Sequence, residues 1–202
     1  MRGSLLSLPL EEFLLRSASP KPVPGGGAAG AIAASLGAAM GAMSCAVSAA
    51  RSPSSVLSRS ARVLRGASAH LGRLADSDAV AYGRFVKALR MKRGPARERA
   101  KALSLRSAAR APLESMRRSV EALRTLSAAA GDLRGTVKSD AEVASALLVG
   151  SVRALEATFR SNLPYLRKAD VPGLPGEPAR FVREAARLAE GIVLRVSRGR
   201  GK

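Results

Sequence analysis

The chain has 202 residues, of which 34 are Lys or Arg and 15 are Asp or Glu, so its formal net charge is +19. This length suits one domain with a sizeable core, and we expect a single domain over residues 1–202. A hydrophobic fraction of 47% excludes a disordered basic tail, because disordered chains are poor in apolar residues. One cysteine, Cys45, and one histidine, His70, exclude an internal disulfide and a Cys/His metal cluster.

The positive charge first suggests a polyanionic partner. Between Arg84 and Arg118 there are 12 basic and 2 acidic residues, which is over half of the net charge. Aromatic residues make up only 3% and Trp is absent, so a base-stacking surface for single strands is not expected. A solvated basic surface and a non-catalytic helical protein that binds nucleic acid through phosphates both remain open.

Strand patterns are nearly missing, and Pro and Gly divide the chain into helical stretches. The predicted fold class is all-α: a bundle of about five to six helices around a central helix of small residues. A basic tail over 198–202 is expected to be disordered. The predicted helices cover about residues 9–18, 28–50, 54–92, 95–130, 140–162 and 178–196, with a kink near Pro112 and a Pro/Gly linker over 170–178.

The second helix follows a Pro- and Gly-rich loop and belongs to a stretch without any charge, from Pro22 to Ala50. Its composition of mostly Ala, Gly and Ser favours a buried central helix over a membrane span. A second face of small residues, Gly30, Ala34, Gly37 and Gly41, would let another backbone approach closely. Bulky residues recur along one stripe of this helix: Ile32, Leu36, Met40, Met43 and Val47.

Asp78 is the acid that the helical pattern singles out. It lies on the apolar stripe of the third helix, four residues after Leu74 and four before Tyr82. An ionised carboxylate on such a face is costly unless it is paired or functional, so either an arginine neutralises Asp78 or it takes part in chemistry. Asp76 points elsewhere and is expected to be solvated.

Asp140 is the second acid of interest. The run from Ser139 to Glu142 matches a capping box, in which Ser139 would cap the fifth helix and Glu142 would follow three residues later. A carboxylate at this position interacts favourably with the helix dipole and with free amide groups, so Asp140 is expected to stay anionic. A simple helix-start role is the alternative.

Four segments, in order, resemble the cyclodeaminase/cyclohydrolase family of folate enzymes. They cover roughly residues 9 to 195 and are fairly specific together, although three adjacent glycines alone are a weak signal. The segments are Pro22-Val23-Pro24-Gly25-Gly26-Gly27-Ala28-Ala29-Gly30, Leu74-Ala75-Asp76-Ser77-Asp78-Ala79-Val80-Ala81-Tyr82, Ala111-Pro112-Leu113-Glu114, and Ser139-Asp140-Ala141 with Asn162-Leu163.

The resemblance implies an α-helical homodimer that acts on a reduced folate without a metal or a separate cofactor. Members hydrolyse 5,10-methenyltetrahydrofolate or cyclise 5-formiminotetrahydrofolate with loss of ammonia. No signal peptide is evident, so a cytoplasmic protein without a membrane anchor is expected. The substrate-binding residues that the resemblance implies are Pro24, Gly25, Gly26, Gly27, Ser48, Arg51, Arg93 and Asn162.

Both reactions interconvert a cationic one-carbon unit with an open form, so they need proton transfer and stabilisation of positive charge. A carboxylate in a dry pocket supplies both, because desolvation raises its pKa toward neutrality. We therefore assign Asp78 as the predicted acid/base and Asp140 as its electrostatic or binding partner. Asn162 lies about 33 Å from Asp140 along one helix, so both would serve one site only if a second subunit contributes.

The sequence also departs from the family pattern. Val47-Ser48-Ala49-Ala50-Arg51-Ser52-Pro53 replaces a stretch that is usually Leu-Thr-x-Gly-Lys-Lys-Tyr-like. Asp132 and Thr158 stand where Asn is expected, and Arg93 is the cation left of a Leu-Pro-Lys segment. A diverged relative without activity is therefore a further alternative.

Overall fold

The computed structural model describes residues 3–21, 23–163 and 176–197, which form α-helices joined by short turns. No strand occurs in these residues, so the all-α prediction is confirmed. The predicted tail over 198–202 and most of the predicted linker over 170–178 lie outside the described residues. The helices are α1 Leu10–Ser17, α2 Gly26–Arg51, α3 Ser55–Leu89, α4 Pro95–Ala129, α5 Val137–Asn162 and α6 Glu177–Ser197, with 3-10 turns at Leu5–Ser7 and Ala130–Asp132.

Local signals explain most helix boundaries. The hydroxyl of Ser54 accepts a hydrogen bond from the amide of Leu57 at 3.3 Å and caps α3. Pro95 occupies the first turn of α4, where its missing N–H has no helical partner to lose. α4 continues through Pro112 as one helix.

Two predicted helix starts are wrong by a few residues. α2 begins at Gly26, so two of the three glycines that were assigned to the loop belong to the helix. α5 begins at Val137, and the hydroxyl of Ser139 donates to the carbonyl of Thr136 at 2.8 Å instead of capping the helix. The turn before α5 contains Gly135 with a φ of +71°, a conformation that glycine adopts without strain.

The main core forms where α2 packs against α3 and α5 and where α4 and α6 close the other side. α2 and α5 run antiparallel, since Gly26 faces Thr158 while Gly37 faces Ala144. The largest fully buried side chains include Leu57, Leu64, Leu71, Met116, Leu123, Leu126, Leu148, Leu155, Phe159 and Ile192.

α2 is the predicted central helix, and it buries its small residues more completely than its bulky ones. Its small residues Gly30, Ala34, Gly37 and Gly41 are buried, as predicted, because they let α5 and α3 approach closely. The bulky stripe is only partly covered: Leu36 is 54% exposed, whereas Ile32 and Met40 are half-buried and pack against the core. Close helix packing therefore buries glycine and alanine fully and leaves the larger side chains of α2 only partly covered.

α2 also has the length and apolar composition of a helix that crosses a membrane. This is weak evidence for a span, because the core helix of a soluble protein meets the same two criteria. The buried inner face of α2 and its packing on α3 and α5 match such a core helix.

α3 and α4 form a hairpin that extends beyond the end of α5. The side-chain amide of Asn162, the last residue of α5, reaches the carbonyl of Ala108 in α4. The 13 residues of α4 before Ala108 therefore lie beyond that end, a length of about 20 Å. This geometry explains why Phe85 and Leu89, predicted on the apolar side of α3, are only partly covered.

Candidate active site

Asp78 lies in the middle of α3 and its carboxyl group packs against the first turn of α2. The side chain is buried, with 8% of the residue exposed. A Cβ atom added to Gly27 would lie 2.3 Å from Oδ1 of Asp78, closer than real Cβ contacts come. The carboxyl group also accepts a hydrogen bond from the backbone amide of Ala28. The glycine-rich start of α2 therefore makes room for one specific carboxyl group.

Burial raises the pKa of Asp78 from 3.8 to about 6, while the hydrogen bond from Ala28 acts in the opposite direction by favouring the anion. No basic side chain contributes to this shift. Among the described residues, therefore, no arginine neutralises Asp78, contrary to the alternative that the sequence left open. The arrangement yields a carboxyl group that gains and loses a proton within about a unit of neutral pH.

The C-terminal part of α5 packs against the start of α2. Oγ1 of Thr158 lies 3.0 Å from the position that a Cβ atom on Gly26 would take. Thr158 thus stands beside Gly26, the residue before the glycine that contacts Asp78. We call the group formed by Asp78, Gly25, Gly26, Gly27 and Thr158 the Asp78 cluster. Pro24, which follows a cis peptide bond, is buried directly before it.

A cavity of about 860 Å³ opens between the ends of α3 and α5 and the start of α4. Tyr82, one helical turn after Asp78, lines it together with Phe85, and their ring centroids are 6.2 Å apart. Arg99 and Lys101 supply positive charge, although Lys101 is paired with Glu98 of the same wall at 3.0 Å. Asn162, one turn after Thr158, also forms part of the wall. The residues of the Asp78 cluster do not line this cavity, which begins one helical turn beyond Asp78 and Thr158 and combines aromatic surface with charged side chains.

Asn162 has a defined partner in the fold. Pro112 has no N–H, so the carbonyl of Ala108, four residues earlier, loses its usual helical donor. Nδ2 of Asn162 donates to that carbonyl at 3.4 Å, a long hydrogen bond. This contact fixes the end of α5 against α4 and sets the position of the cavity wall. The side chain therefore has a positioning role in addition to lining the cavity.

The other predicted site residues lie at the opposite end of α2. Ser48 is fully buried, and its hydroxyl accepts a hydrogen bond from the backbone amide of Arg134 at 3.1 Å. The guanidinium of Arg51 lies over Gly135, and Asp140 is half-buried in the first turn of α5. We call Arg51 and Asp140 the Arg51 cluster. Ser48 holds the loop beneath it.

The structure does not bring the two clusters together within one chain. Gly26 and Arg51 stand at the two ends of α2, about 38 Å apart along the helix. Asp140 and Thr158 are about 27 Å apart along α5. The predicted pairing of Asp78 with Asp140 is therefore not formed inside a single chain.

Arg93 is placed separately from both clusters. It lies exposed in the turn between α3 and α4, and the part of α3 from Asp78 to Leu89 alone spans about 16 Å. A contact between Arg93 and a group held at Asp78 would therefore require a ligand that spans the cavity.

Other reactive side chains do not assemble a second centre in the part of the chain that is described. No group of three His, Cys, Asp or Glu side chains lies together there. Burial raises the pKa of the Cys45 thiol to about 11, so this thiol is not activated as a nucleophile. Asp76, expected to be solvated, instead accepts hydrogen bonds from Ser4 Oγ at 2.7 Å and from the amide of Leu5 at 2.6 Å. It anchors the N-terminal segment to α3.

Residues 9–171 match the model of the formiminotransferase-cyclodeaminase family. The chain belongs to this family. Its structure is similar to the crystal structure of formiminotetrahydrofolate cyclodeaminase from Thermotoga maritima, with a TM-score of 0.77 over 96% of each chain and 22% sequence identity. No curated protein sequence matches the chain. The family match agrees with the resemblance of the four sequence segments, and the structural match shows the same helical fold.

The structure adds cavity-lining residues that were not among the predicted site residues. The sequence singled out Asp78, the glycines and Asn162, but it gave no role to Tyr82, Phe85, Arg99 or Lys101. Tyr82 and Phe85 follow Asp78 at helical intervals of four and seven residues, so their common face was detectable. Arg99 and Lys101 join this face only because α4 folds back along α3.

Proposed function

We propose that this folate-family chain is a one-carbon enzyme that hydrolyses 5,10-methenyltetrahydrofolate to 10-formyltetrahydrofolate. Cyclisation of 5-formiminotetrahydrofolate with release of ammonia is the second reaction that the same site would support. The observation that carries the proposal is Asp78, a buried carboxyl group with a raised pKa beside the Gly26–Gly27 start of α2. The neighbouring cavity of about 860 Å³ has the volume of a small-molecule site.

In the proposed hydrolysis, the carboxylate of Asp78 acts as general base. It takes a proton from a water molecule while the water oxygen bonds to the cationic methenyl carbon. The bond from that carbon to N5 then breaks while the new hydroxyl group loses its proton and becomes the formyl C=O. N5 takes up a proton, the formyl group remains on N10, and one proton is released overall. The negative charge of Asp78 also stabilises the cationic substrate, which is worth more in a buried site than in water.

In the proposed cyclisation, the same carboxyl group moves protons in another order. N10 attacks the formimino carbon and loses its proton, and the formimino nitrogen gains protons and leaves as ammonia. A group with a pKa of about 6 can accept the first proton and donate it to the leaving group. Both activities therefore need proton transfer by Asp78. They differ in the nucleophile, which is water in the hydrolysis and N10 in the cyclisation.

The cavity offers a binding mode for the rest of a reduced folate. The aromatic pair Tyr82 and Phe85 provides a surface for the p-aminobenzoyl ring, and Arg99 provides a cation for a glutamate carboxylate. Lys101 would provide a second cation if the substrate displaces its ion pair with Glu98. The basic segment from Arg84 to Arg118 would attract such an anionic substrate at long range.

The test is turnover of 5,10-methenyltetrahydrofolate, followed by its absorbance, beside ammonia release from 5-formiminotetrahydrofolate. Wild-type protein should accelerate one of these reactions, and Asp78→Asn should lose at least about 100-fold in kcat while keeping its helical circular dichroism. Asp76→Asn is the matched control, because Asp76 lies on the same helix and its carboxylate accepts hydrogen bonds from Ser4 and Leu5 in the N-terminal segment. Absence of turnover and of folate binding in the wild type would contradict the proposal.

A further inference from the structure

The outer side of the α3–α4 hairpin carries a long groove. It consists of two cavities, of about 570 Å³ and about 520 Å³, which share Arg84 of α3 and Ser107 of α4. On α4 the lining extends from Ala100 to Glu114, a length of about 21 Å. The groove therefore has the length of about four turns of an α-helix.

This groove faces away from Asp78. Lys87, which lines the groove, follows Asp78 by nine residues, or about two and a half helical turns, so the two side chains point to opposite sides of α3. The cavity that Tyr82 and Phe85 line has no described lining residue in common with the groove. A partner in the groove would thus leave the proposed folate site open.

The floor of the groove exposes bulky apolar side chains. Val80 on α3 is 45% exposed, Leu103 on α4 is 58% exposed, and Met91 in the turn between the two helices is 42% exposed. Bulky apolar residues that stay exposed around a groove mark an interaction surface. An amphipathic helix that lays its apolar face into such a groove would remove these side chains from water.

The rim of the groove is basic. Arg84, Lys87 and Arg110 line it and are exposed, and no acid among the described residues forms an ion pair with any of the three. Glu114, the acid in the described lining, is already paired with two arginines of its own helix, at 2.6 Å and 2.9 Å. The groove therefore offers cations to a partner that brings carboxylates.

The apolar floor and the basic rim together favour an acidic amphipathic helix over other occupants. The phosphates of a nucleic acid would pair with the rim but would leave Val80, Leu103 and Met91 uncovered. A second copy of this chain would bring more cations to a rim that is already basic, since each chain has a formal charge of +19. An acidic helix matches both parts of the groove, because carboxylates flank its apolar stripe.

We infer that the outer groove of the α3–α4 hairpin binds an acidic amphipathic helix of a partner protein. The apolar stripe of that helix contacts the floor of the groove, and its Asp and Glu side chains pair with Arg84, Lys87 and Arg110. This surface does not depend on the proposed function, because its described residues belong neither to the Asp78 cluster nor to the cavity that Tyr82 lines.

The first experiment measures binding of a labelled synthetic peptide by fluorescence anisotropy at about 0.15 M salt. The peptide has about 18 residues, with leucines spaced to form one helical stripe and glutamates on both flanks of the stripe. It should bind wild-type protein at least about tenfold more tightly than a peptide of the same composition in scrambled order. Equal binding of the two peptides would show attraction by net charge alone and would overturn the inference.

Variants at exposed positions locate the bound peptide. Leu103→Glu should weaken binding of the striped peptide at least about tenfold. Leu194→Glu, at a residue of α6 that is 59% exposed, is the matched control and should bind like wild type. Arg84→Glu should weaken binding at least about threefold, whereas Arg62→Glu, the same charge change on the same helix outside the groove, should have little effect. Unchanged peptide binding by Leu103→Glu would place the peptide elsewhere and overturn the inference.

Two further measurements test the other occupants. If duplex DNA displaces the peptide and Leu103→Glu weakens DNA binding equally, the groove is a nucleic-acid site and the inference is wrong. If Leu103→Glu changes the mass of the protein in solution, a second copy occupies the groove and the inference is likewise wrong. Asp78→Asn should bind the peptide like wild type, so a loss of folate turnover and a loss of peptide binding are separate results.

Discussion

The carboxyl group of Asp78 and the α-carbon of Gly27 are in such close contact that residue 27 has no room for a side chain. A methyl group there would begin 2.3 Å from Oδ1 of Asp78 and 2.7 Å from Oδ2. The same carboxyl group accepts the amide hydrogen of Ala28, one of the amides that the first turn of α2 leaves without a helical partner. The Gly-rich segment and Asp78 thus form one structural unit.

Gly27→Ala should lower the free energy of unfolding by about 1–3 kcal/mol, because the new methyl group forces α2 and Asp78 apart. Urea unfolding measures the change. Gly66→Ala is the matched control on α3: its Cβ would meet nothing within 4 Å, so alanine should stabilise that helix by about 0.5–1 kcal/mol.

Combining Gly27→Ala with Asp78→Ala tests the origin of this effect. Removing the carboxyl group clears the space, so the double variant should lose clearly less stability than the sum of the two single variants. Additive losses of unfolding free energy would show that the side chain of Asp78 does not cause the cost of Gly27→Ala.

Asp78 should make the stability of the protein depend on pH. Because its pKa is raised to about 6 in the folded state, ionisation is costlier there than in the unfolded chain. Stability therefore falls as the pH rises from about 4 through 6, by roughly 2–3 kcal/mol at most. Asp78→Asn keeps an acceptor for the Ala28 amide and removes this cost. It should melt higher than wild type at pH 8 and equally at pH 4, and an unchanged difference between these pH values would contradict the raised pKa.

The rate of hydrolysis should follow the ionisation of the same group. If Asp78 is the base, kcat/KM corrected for spontaneous hydrolysis should rise with pH to a plateau, with a midpoint near pH 6. In the complex, the cationic substrate stabilises the carboxylate, so the midpoint for kcat should lie at lower pH than the midpoint for kcat/KM. A profile for kcat/KM that stays flat between pH 5 and 7 would remove Asp78 from the role of base.

Asn162 and Pro112 should show coupled effects on stability. Asn162→Ala leaves the carbonyl of Ala108 without its donor and should cost about 0.5–1 kcal/mol. In a Pro112→Ala background, the new backbone N–H reaches the same carbonyl, so Asn162→Ala should cost less. A double-mutant cycle measured by chemical unfolding gives the difference. If Asn162→Ala lowers the unfolding free energy equally in both backgrounds, the side-chain amide of Asn162 does not replace the donor that Pro112 lacks.

Most helix ends could be predicted from the sequence, because Pro, Gly and capping residues determine the backbone conformation of their immediate neighbours. Ser54, Pro95 and the Ser52–Pro53 break fall at or next to the observed helix ends. The start of α2 was misplaced because it depends on a residue that is distant in the sequence. Glycines that look like loop residues can join a helix when a carboxyl group from another helix completes its first turn, and no local pattern around Gly26 encodes Asp78.

The sequence alone determined that the chain is helical, that Asp78 stands on an apolar face and that the glycine-rich segment resembles a folate-enzyme family. These properties depend on short-range periodicity and on ordered motifs. Only the tertiary structure decided that Asp78 meets Gly27, that the bulky side of α2 is only partly covered, and that Arg51 and Asp140 stand far from Asp78. Such relations depend on which helices pack together and in which direction, since side chains distant in sequence become neighbours only after the backbone has folded.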